Sequence, residues 1–207
     1  MKTAAIIISY IFHPLLIATY LVLLLSWCLP FFLFISASAF LTFIGLIFVM
    51  TFILPVANLI MFKALGTLSS FQMKSRRERI IPFILITLTY GAVAFMFFYK
   101  AKINVYVNFN KMILIVALLV FAATIATFFQ KVSVHSLAML GVVGILIPLN
   151  RAAEDGALHW PTVAALVLAG LVMSSRLYLN VHTPREVLTG AIIGFGVSFL
   201  GMIFLFH

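Results

Sequence analysis

The chain has 207 residues, of which 65% are hydrophobic, 14% aromatic and only 8% charged. Soluble domains carry about 25% charged residues, and residues 3–62 contain no Asp, Glu, Lys or Arg, so a soluble enzyme, a nucleic-acid-binding module and a disordered tail are excluded. The net charge of +9 belongs at membrane surfaces or in polar clefts suited to anionic lipid head groups, because a charge at the bilayer centre costs at least about 2.5 kcal/mol.

Seven apolar segments predict an all-α, polytopic integral membrane bundle of six to seven transmembrane helices, forming a single domain over residues 1–207. Long unbroken apolar runs indicate helices rather than alternating barrel strands. Pro30 separates the first two segments, and we expect Pro55 to kink the second, because proline removes an amide and clashes with the preceding turn. The fifth is short for a full crossing, which needs at least about 17 residues. The segments run approximately over residues 4–28, 33–62, 80–99, 111–130, 134–149, 161–179 and 186–206.

Three connections hold 11 of the 22 Lys, Arg, Asp, Glu and His residues, namely 71–82, 128–136 and 174–186. Two predicted spans separate the first connection from the second, and two more separate the second from the third. An even number of crossings returns the chain to the same side of the membrane. We therefore expect the three polar clusters to share one side, where they form a single site, and the connections 100–110 and 150–160 to lie on the far side.

The third cluster combines a helix start with a histidine and an arginine. Thr183, Pro184 and Glu186 have the spacing of a capping box, so Glu186 is interpretable as a helix cap. It is also near enough to His182 to accept a hydrogen bond from one imidazole nitrogen, which would leave the other nitrogen to act as a nucleophile. Arg176 carries a planar fork suited to phosphate oxygens, although an arginine at a span end also serves to reach the interface.

The other two clusters supply further candidates. Ser133 is placed to cap a helix starting near His135, or alternatively to bind a phosphate oxygen. His135 lies at a helix N-terminus, which favours an anion. Two histidines on one side suggest that one attacks while the other protonates the leaving group, an effect typically worth about 10²–10⁴-fold. In the first cluster most basic residues are interpreted as a positive flank that orients the protein, whereas Lys74 and Arg79 are candidates for the site.

Together, the clusters resemble the three-part signature of the type 2 phosphatidic acid phosphatase superfamily, which also includes vanadium haloperoxidases. That signature reads K-x6-R-P, then P-S-G-H, then S-R-x5-H-x3-D. The corresponding runs here are K-S-R-R-E-R-I-I-P over 74–82, V-S-V-H over 132–135 and S-R-L-Y-L-N-V-H-T-P-R-E over 175–186. The resemblance extends from about residue 71 to the C-terminus, so the signature-bearing core is 71–207.

Three positions depart from the signature. The arginine of the first motif falls on Ile81, so either Arg79 or Arg77 replaces it or one phosphate contact is missing. Val134 stands in place of the glycine, and its Cβ restricts how closely the backbone approaches phosphate. Glu186 replaces the aspartate and is one methylene longer.

The resemblance implies a phosphohistidine at His182, oriented by Glu186, and a proton donated to the leaving group by His135. It also implies that no metal or other cofactor is needed. The residues implied to hold the phosphoryl oxygens are Lys74, Arg79, Ser133 and Arg176.

We therefore expect a membrane lipid phosphatase that hydrolyses a phosphomonoester or diphosphate. Four substrates fit equally well: phosphatidic acid, phosphatidylglycerol phosphate, polyprenyl diphosphate and a phosphorylated lipid of the lipid A type. A lipid phosphotransferase and a non-catalytic binder or transporter of anionic lipid are the alternatives. The predicted partners are a phosphorylated lipid and the bilayer, without nucleic acid. We place the protein in a bacterial cytoplasmic membrane; the Lys and Arg count favours a cytoplasmic site, whereas bacterial relatives often face the periplasm.

Overall fold

The computed structural model describes residues 2–33, 37–71, 73, 75–100, 107–153 and 156–206, and all regular structure in these ranges is helical. A π-helical segment, Val49–Ile53, connects α4 to α5. The helices are α1 (Lys2–Ile11), α2 (Pro14–Cys28), α3 (Pro30–Leu33), α4 (Ala37–Phe48), α5 (Leu54–Ala64), α6 (Arg76–Lys100), α7 (Val107–Phe129), α8 (Val134–Ala152), α9 (His159–Tyr178) and α10 (Pro184–Phe206).

Six helical stretches of the described chain are long and apolar enough to cross a membrane. A seventh is added if the bent pair α1 and α2 counts as one span. The prediction of an all-α, polytopic membrane protein with six to seven spans is therefore confirmed. The helix predicted to be short, α8, has 19 residues, which is enough to cross the hydrocarbon core. The six stretches are Ser38–Ala64, Arg76–Tyr99, Val107–Phe129, Val134–Ala152, His159–Tyr178 and Pro184–Phe206.

The first predicted segment, residues 4–28, is not one continuous helix. Helix α1 ends at Ile11, α2 begins at Pro14, and the two are bent by 61°. Proline has no amide to donate, and it also disfavours the helical conformation in the residue before it. Accordingly, the His13 amide donates to the carbonyl of Tyr10, only three residues back, at 3.3 Å. The predicted segment 4–28 is therefore divided at Pro14 into two helices, which together can still count as one span.

The chain folds into two compact units. The first unit comprises Met1–Ile17 and Val132–His207, and the second comprises Ala18–Lys131. In the first unit α8 packs most extensively against α10 and also contacts α9, while α1 packs on α9. In the second unit the most extensive packing is between α6 and α7.

Glycines allow α8 and α10 of the first unit to approach closely. A Cβ placed on Gly190 would collide with the carbonyl oxygen of Ser133, and one on Gly194 with the carbonyl oxygen of Leu137. Small residues four positions apart are a common means of bringing two membrane helices together. The start of α8 is thereby held against the first turns of α10.

In the second unit, the chain before Pro55 is π-helical rather than simply kinked. Pro55 has no amide for the carbonyl of Thr51, four residues earlier. The hydroxyl of Tyr90, on α6, donates to that carbonyl at 2.9 Å. The disturbance expected at Pro55 is thus present, and a side chain from a neighbouring helix satisfies the carbonyl that the proline leaves without a donor.

Candidate active site

The turn between α9 and α10 places His182 just before the start of α10. Asn180 closes the end of α9 with a φ of +53°, a left-handed conformation that asparagine adopts more readily than most residues. The Thr183 hydroxyl then accepts a hydrogen bond from the Glu186 amide at 3.3 Å, and Pro184 is the first residue of α10. The threonine cap and the proline at the first helical position are as predicted from the sequence.

The carboxylate of Glu186 contacts the imidazole of His182. His182 Nδ1 lies 2.6 Å from Glu186 Oε2, and the two side chains are 3% and 20% exposed. Because an ionised carboxylate only accepts, Nδ1 is the donor, and the lone pair of the neutral ring lies on Nε2. Of the two interpretations left open for Glu186, the observed carboxylate contact is the one with His182, whereas the cap of α10 is the Thr183 hydroxyl, which accepts from the Glu186 amide.

Ser133 joins the start of α8 to the start of α10. The Ser133 hydroxyl caps α8, accepting from the Ser136 amide at 3.4 Å and from the Ser136 hydroxyl at 2.9 Å. The Ser133 amide donates to the carbonyl of Glu186 at 3.1 Å. Two helix N-termini, each carrying a partial positive charge, therefore meet beside His182, an arrangement that favours an anion.

His135, in the first turn of α8, is held by the N-terminal segment of the chain. Its Nε2 lies 3.1 Å from the carbonyl oxygen of Ser9. A carbonyl only accepts, so Nε2 carries the hydrogen and Nδ1 is the nitrogen that can take up a further proton. The ring of His13 packs against His135 in a T-shaped arrangement, with centroids 5.7 Å apart and an interplanar angle of 78°.

Arg176, in the last turn of α9, completes the cluster. Its positive charge is close enough to act electrostatically on the imidazoles of His13 and His135. The imidazole of His182 acts on that of His135 in the same way. The Nε of Arg176 is buried and has no hydrogen-bond partner within the described part of the chain. A buried charged donor left in this state is costly, and a phosphoryl oxygen is the kind of acceptor that a guanidinium binds best.

A known protein family matches the C-terminal part of the chain. Residues 126–207 match the PAP2 superfamily. The match is consistent with a member of the type 2 phosphatidic acid phosphatase superfamily, the family that the sequence signature resembles. No curated protein and no solved structure matches the chain.

PAP2 superfamily members are phosphoesterases, and the match supports a phosphatase-type activity on phosphate esters. The second and third segments of the PAP2 signature, 132–135 and 175–186, lie inside the matched residues, whereas the first, 74–82, lies outside them. The well-matched segments are those that the structure brings together around His182.

The residues of the first PAP2 segment belong to the second unit. Lys74 lies outside the described residues. Arg79 is 6% exposed, and its Nε donates to the carbonyl of Met73 at 2.8 Å. Met73 itself has a φ of +41°, so the turn before α6 is shaped to receive this arginine. Ile81, at the position of the signature arginine, is 53% exposed.

Within the described residues, no group of three or more His, Cys, Asp or Glu side chains is arranged to hold a metal ion. The clustered side chains are two helix-end histidines, a carboxylate that contacts one of them, and an arginine. These are the groups that nucleophilic attack, proton transfer and phosphate binding require.

Sequence reasoning missed His13 and Ser9, which contact His135. A signal for His13 was present, because a histidine followed by proline interrupts an otherwise apolar run. A titratable side chain in such a run is a functional candidate by default, and the proline marks a helix boundary. Ser9 had no signal, because its contact with His135 is made by the main-chain carbonyl.

Proposed function

We propose that the protein is a membrane phosphatase that hydrolyses a phosphomonoester or diphosphate of a lipid through a phosphohistidine at His182. The single observation that carries the proposal is the 2.6 Å contact between His182 Nδ1 and Glu186 Oε2. It orients a largely buried imidazole in the tautomer whose neutral ring carries its lone pair on Nε2, beside the N-termini of α8 and α10.

In the first step, His182 Nε2 attacks phosphorus in line with the ester oxygen. A P–N bond forms as the P–O bond breaks, and the departing alkoxide takes a proton from the doubly protonated ring of His135. Glu186 stabilises the positive charge that develops on His182. Arg176, whose Nε is buried without a partner in the described chain, binds a phosphoryl oxygen and stabilises charge in the transition state.

In the second step, water attacks the phosphohistidine. His135 Nδ1 accepts the proton from that water, the P–N bond breaks, and inorganic phosphate leaves. His135 thereby returns to the protonated form that the next cycle requires. A phosphotransferase differs only in that an alcohol or phosphate acceptor replaces the water.

The proposed substrate class is a lipid because the site residues lie at the ends of membrane-spanning helices. Arg176 ends α9, His135 begins α8, and His182 directly precedes α10. A phosphate held at such helix ends would lie near the lipid–water boundary, with its acyl or prenyl chains beside the apolar helix surfaces.

The test is phosphate release by the purified protein in detergent micelles, with phosphatidic acid and a polyprenyl diphosphate as substrates. Wild type, His182→Ala and His135→Ala are compared with His159→Ala. His159 is an exposed histidine at the other end of α9, about 25 Å from Arg176 at 1.5 Å per residue, and is therefore a matched control. A second measurement traps the intermediate with ³²P-labelled substrate and scores acid-labile, base-stable label on the protein.

We expect His182→Ala to lose both phosphate release and label, and His135→Ala to lose about 10²–10⁴-fold in turnover, while His159→Ala behaves as wild type. Equal phosphate release by wild type and His182→Ala would refute the proposal. Binding of phosphatidic acid vesicles by wild type without turnover would instead identify a non-catalytic lipid binder.

A further inference from the structure

The break between α1 and α2 directs a main-chain carbonyl at His135. In a continuous helix the amide of residue 13 would donate to the carbonyl of Ser9. Here the His13 amide donates to Tyr10 instead, and Pro14 prevents the helix from continuing. The carbonyl of Ser9 accepts from His135 Nε2 at 3.1 Å. The same break that interrupts the predicted span thus provides the hydrogen-bond acceptor for the histidine of α8.

The break also fixes the ring of His13. Its Nδ1 accepts from the Leu15 amide at 3.4 Å, and its carbonyl accepts from the Leu16 amide at 2.8 Å, so His13 caps the N-terminus of α2. Capping orients the ring, which packs edge to face against His135. Ser9 and His13 therefore restrain His135 in two ways, one at Nε2 and the other on the ring.

We propose that His13 is a positioning residue for proton transfer, and that together with the Ser9 carbonyl it holds His135 so that Nδ1 delivers the proton to the leaving group. This inference rests on the proposed phosphatase function. It assigns a role to the N-terminal broken helix, which lies outside the matched residues 126–207.

A leaving-group comparison separates this role from a merely structural one. Release of an alkoxide from phosphatidic acid requires a proton, whereas release of nitrophenolate does not. The protein is therefore assayed with phosphatidic acid and with a nitrophenyl phosphomonoester whose ring carries an alkyl chain. The variants are His13→Ala, His13→Phe, His135→Ala and the double variant His13→Ala/His135→Ala. The control is Tyr10→Phe, which changes an exposed side chain on α1, just before the break.

We expect His13→Ala to lower kcat for phosphatidic acid about threefold to tenfold, the range that one aromatic contact supports, with little change in KM. In the first turnover, the nitrophenyl substrate should release nitrophenolate at nearly the wild-type rate, because this step needs no proton and precedes the attack of water on the phosphohistidine. His13→Phe keeps a ring in place and should recover most of the loss. Because His13 acts through His135, the double variant should be no slower than His135→Ala alone. Tyr10→Phe should match wild type.

The outcomes distinguish this inference from the proposed function. If His182→Ala is as active as wild type, both fail. If His182 is required but His13→Ala is fully active, slows the first-turnover release of both leaving groups equally, or adds its loss to that of His135→Ala, only the positioning role fails. Thermal unfolding of each variant in the same detergent shows whether an equal loss with both substrates reflects a damaged fold.

Discussion

Two arginines at helix ends show how the two compact units use the same side chain differently. Arg76 begins α6 in the second unit, and its Nη1 donates to the carbonyls of Phe128 and Phe129 at 2.7 and 2.9 Å. Those carbonyls belong to the last turn of α7, which has no intrahelical donors for them. Arg176 ends α9 in the first unit, and its buried Nε has no partner among the described residues. The first arginine satisfies the carbonyls of a helix end, whereas the second keeps a buried donor that no described group accepts from.

The same contrast extends to other polar groups. In the second unit, the Lys63 ammonium donates to the carbonyl of Ser69 and Arg79 donates to the carbonyl of Met73. In the first unit, the His182 imidazole instead contacts a carboxylate. The contacts of Lys63 and Arg79 satisfy main-chain carbonyls, whereas the contact of His182 joins two ionisable side chains. This difference teaches that positive charge near a membrane surface is not by itself a binding site.

The largest expected effect is a difference in kcat/KM between variants of Arg176 and variants of Arg76. Arg176→Ala should lower kcat/KM for phosphatidic acid by roughly 10²–10³, the loss typical of removing one donor to transition-state charge. Arg176→Lys should recover only part of this activity, because an ammonium lacks the planar fork. Arg76→Ala should leave kcat/KM unchanged. If Arg76→Ala lost as much activity as Arg176→Ala, the distinction between the two arginines would be wrong.

The second prediction concerns two glutamates that occupy equivalent places. Glu186 and Glu78 both lie in the first turn of a helix, but only Glu186 is seen to contact an imidazole among the described residues. Glu186→Gln removes the charge that supports His182 and should lower kcat about 10–100-fold, as loss of an orienting partner commonly does. Glu78→Gln should keep wild-type turnover. Steady-state phosphate release measures both, and equal losses would argue against an orienting role for Glu186.

Much of the fold was predictable, because apolar length sets where helices cross a membrane and prolines set where several of them begin. Helices α2, α3 and α10 each start with proline, the position where its missing amide is tolerated. The break at His13 was missed because an uninterrupted apolar run was taken as one helix. The form of the disturbance at Pro55, a π-helical segment whose Thr51 carbonyl is satisfied by Tyr90, depends on tertiary packing.

The candidate site was predictable only where its contacts are local. Residues four apart lie on one helical face or turn, so the contact between His182 and Glu186 followed from their spacing. The contact between His135 and Ser9 joins residues 126 positions apart and uses a main-chain carbonyl, which every residue type offers. Ser133 was predicted to cap α8. The hydrogen bond that its main-chain amide donates to the Glu186 carbonyl was not predictable, because it depends on how closely α8 and α10 approach.

The third prediction tests that close approach. Gly194→Ala should destabilise the protein by about 1–3 kcal/mol, because the added Cβ collides with the Leu137 carbonyl and overpacking of this kind forces helices apart. The matched control is Gly91→Ala on α6 of the second unit, where an added Cβ meets no atom within 4 Å. Thermal unfolding in detergent should therefore show a lower midpoint for Gly194→Ala only. Equal midpoints would mean that α8 and α10 are held together less tightly than their glycines indicate.

The smallest expected effect is a difference in the free energy of unfolding between variants of the same two arginines. Arg76→Gln removes two hydrogen bonds to the end of α7, but the side chain is exposed and water replaces part of the interaction, so the loss should be only about 0.5–1 kcal/mol. Arg176→Gln should not destabilise the fold, because it removes a partly buried charge whose Nε has no partner in the described chain. Its cost should appear in phosphate release instead. Parallel measurements of unfolding and turnover on both variants would therefore give opposite patterns, and a loss of stability in Arg176→Gln larger than that in Arg76→Gln would contradict the assignment of Arg176 to a ligand.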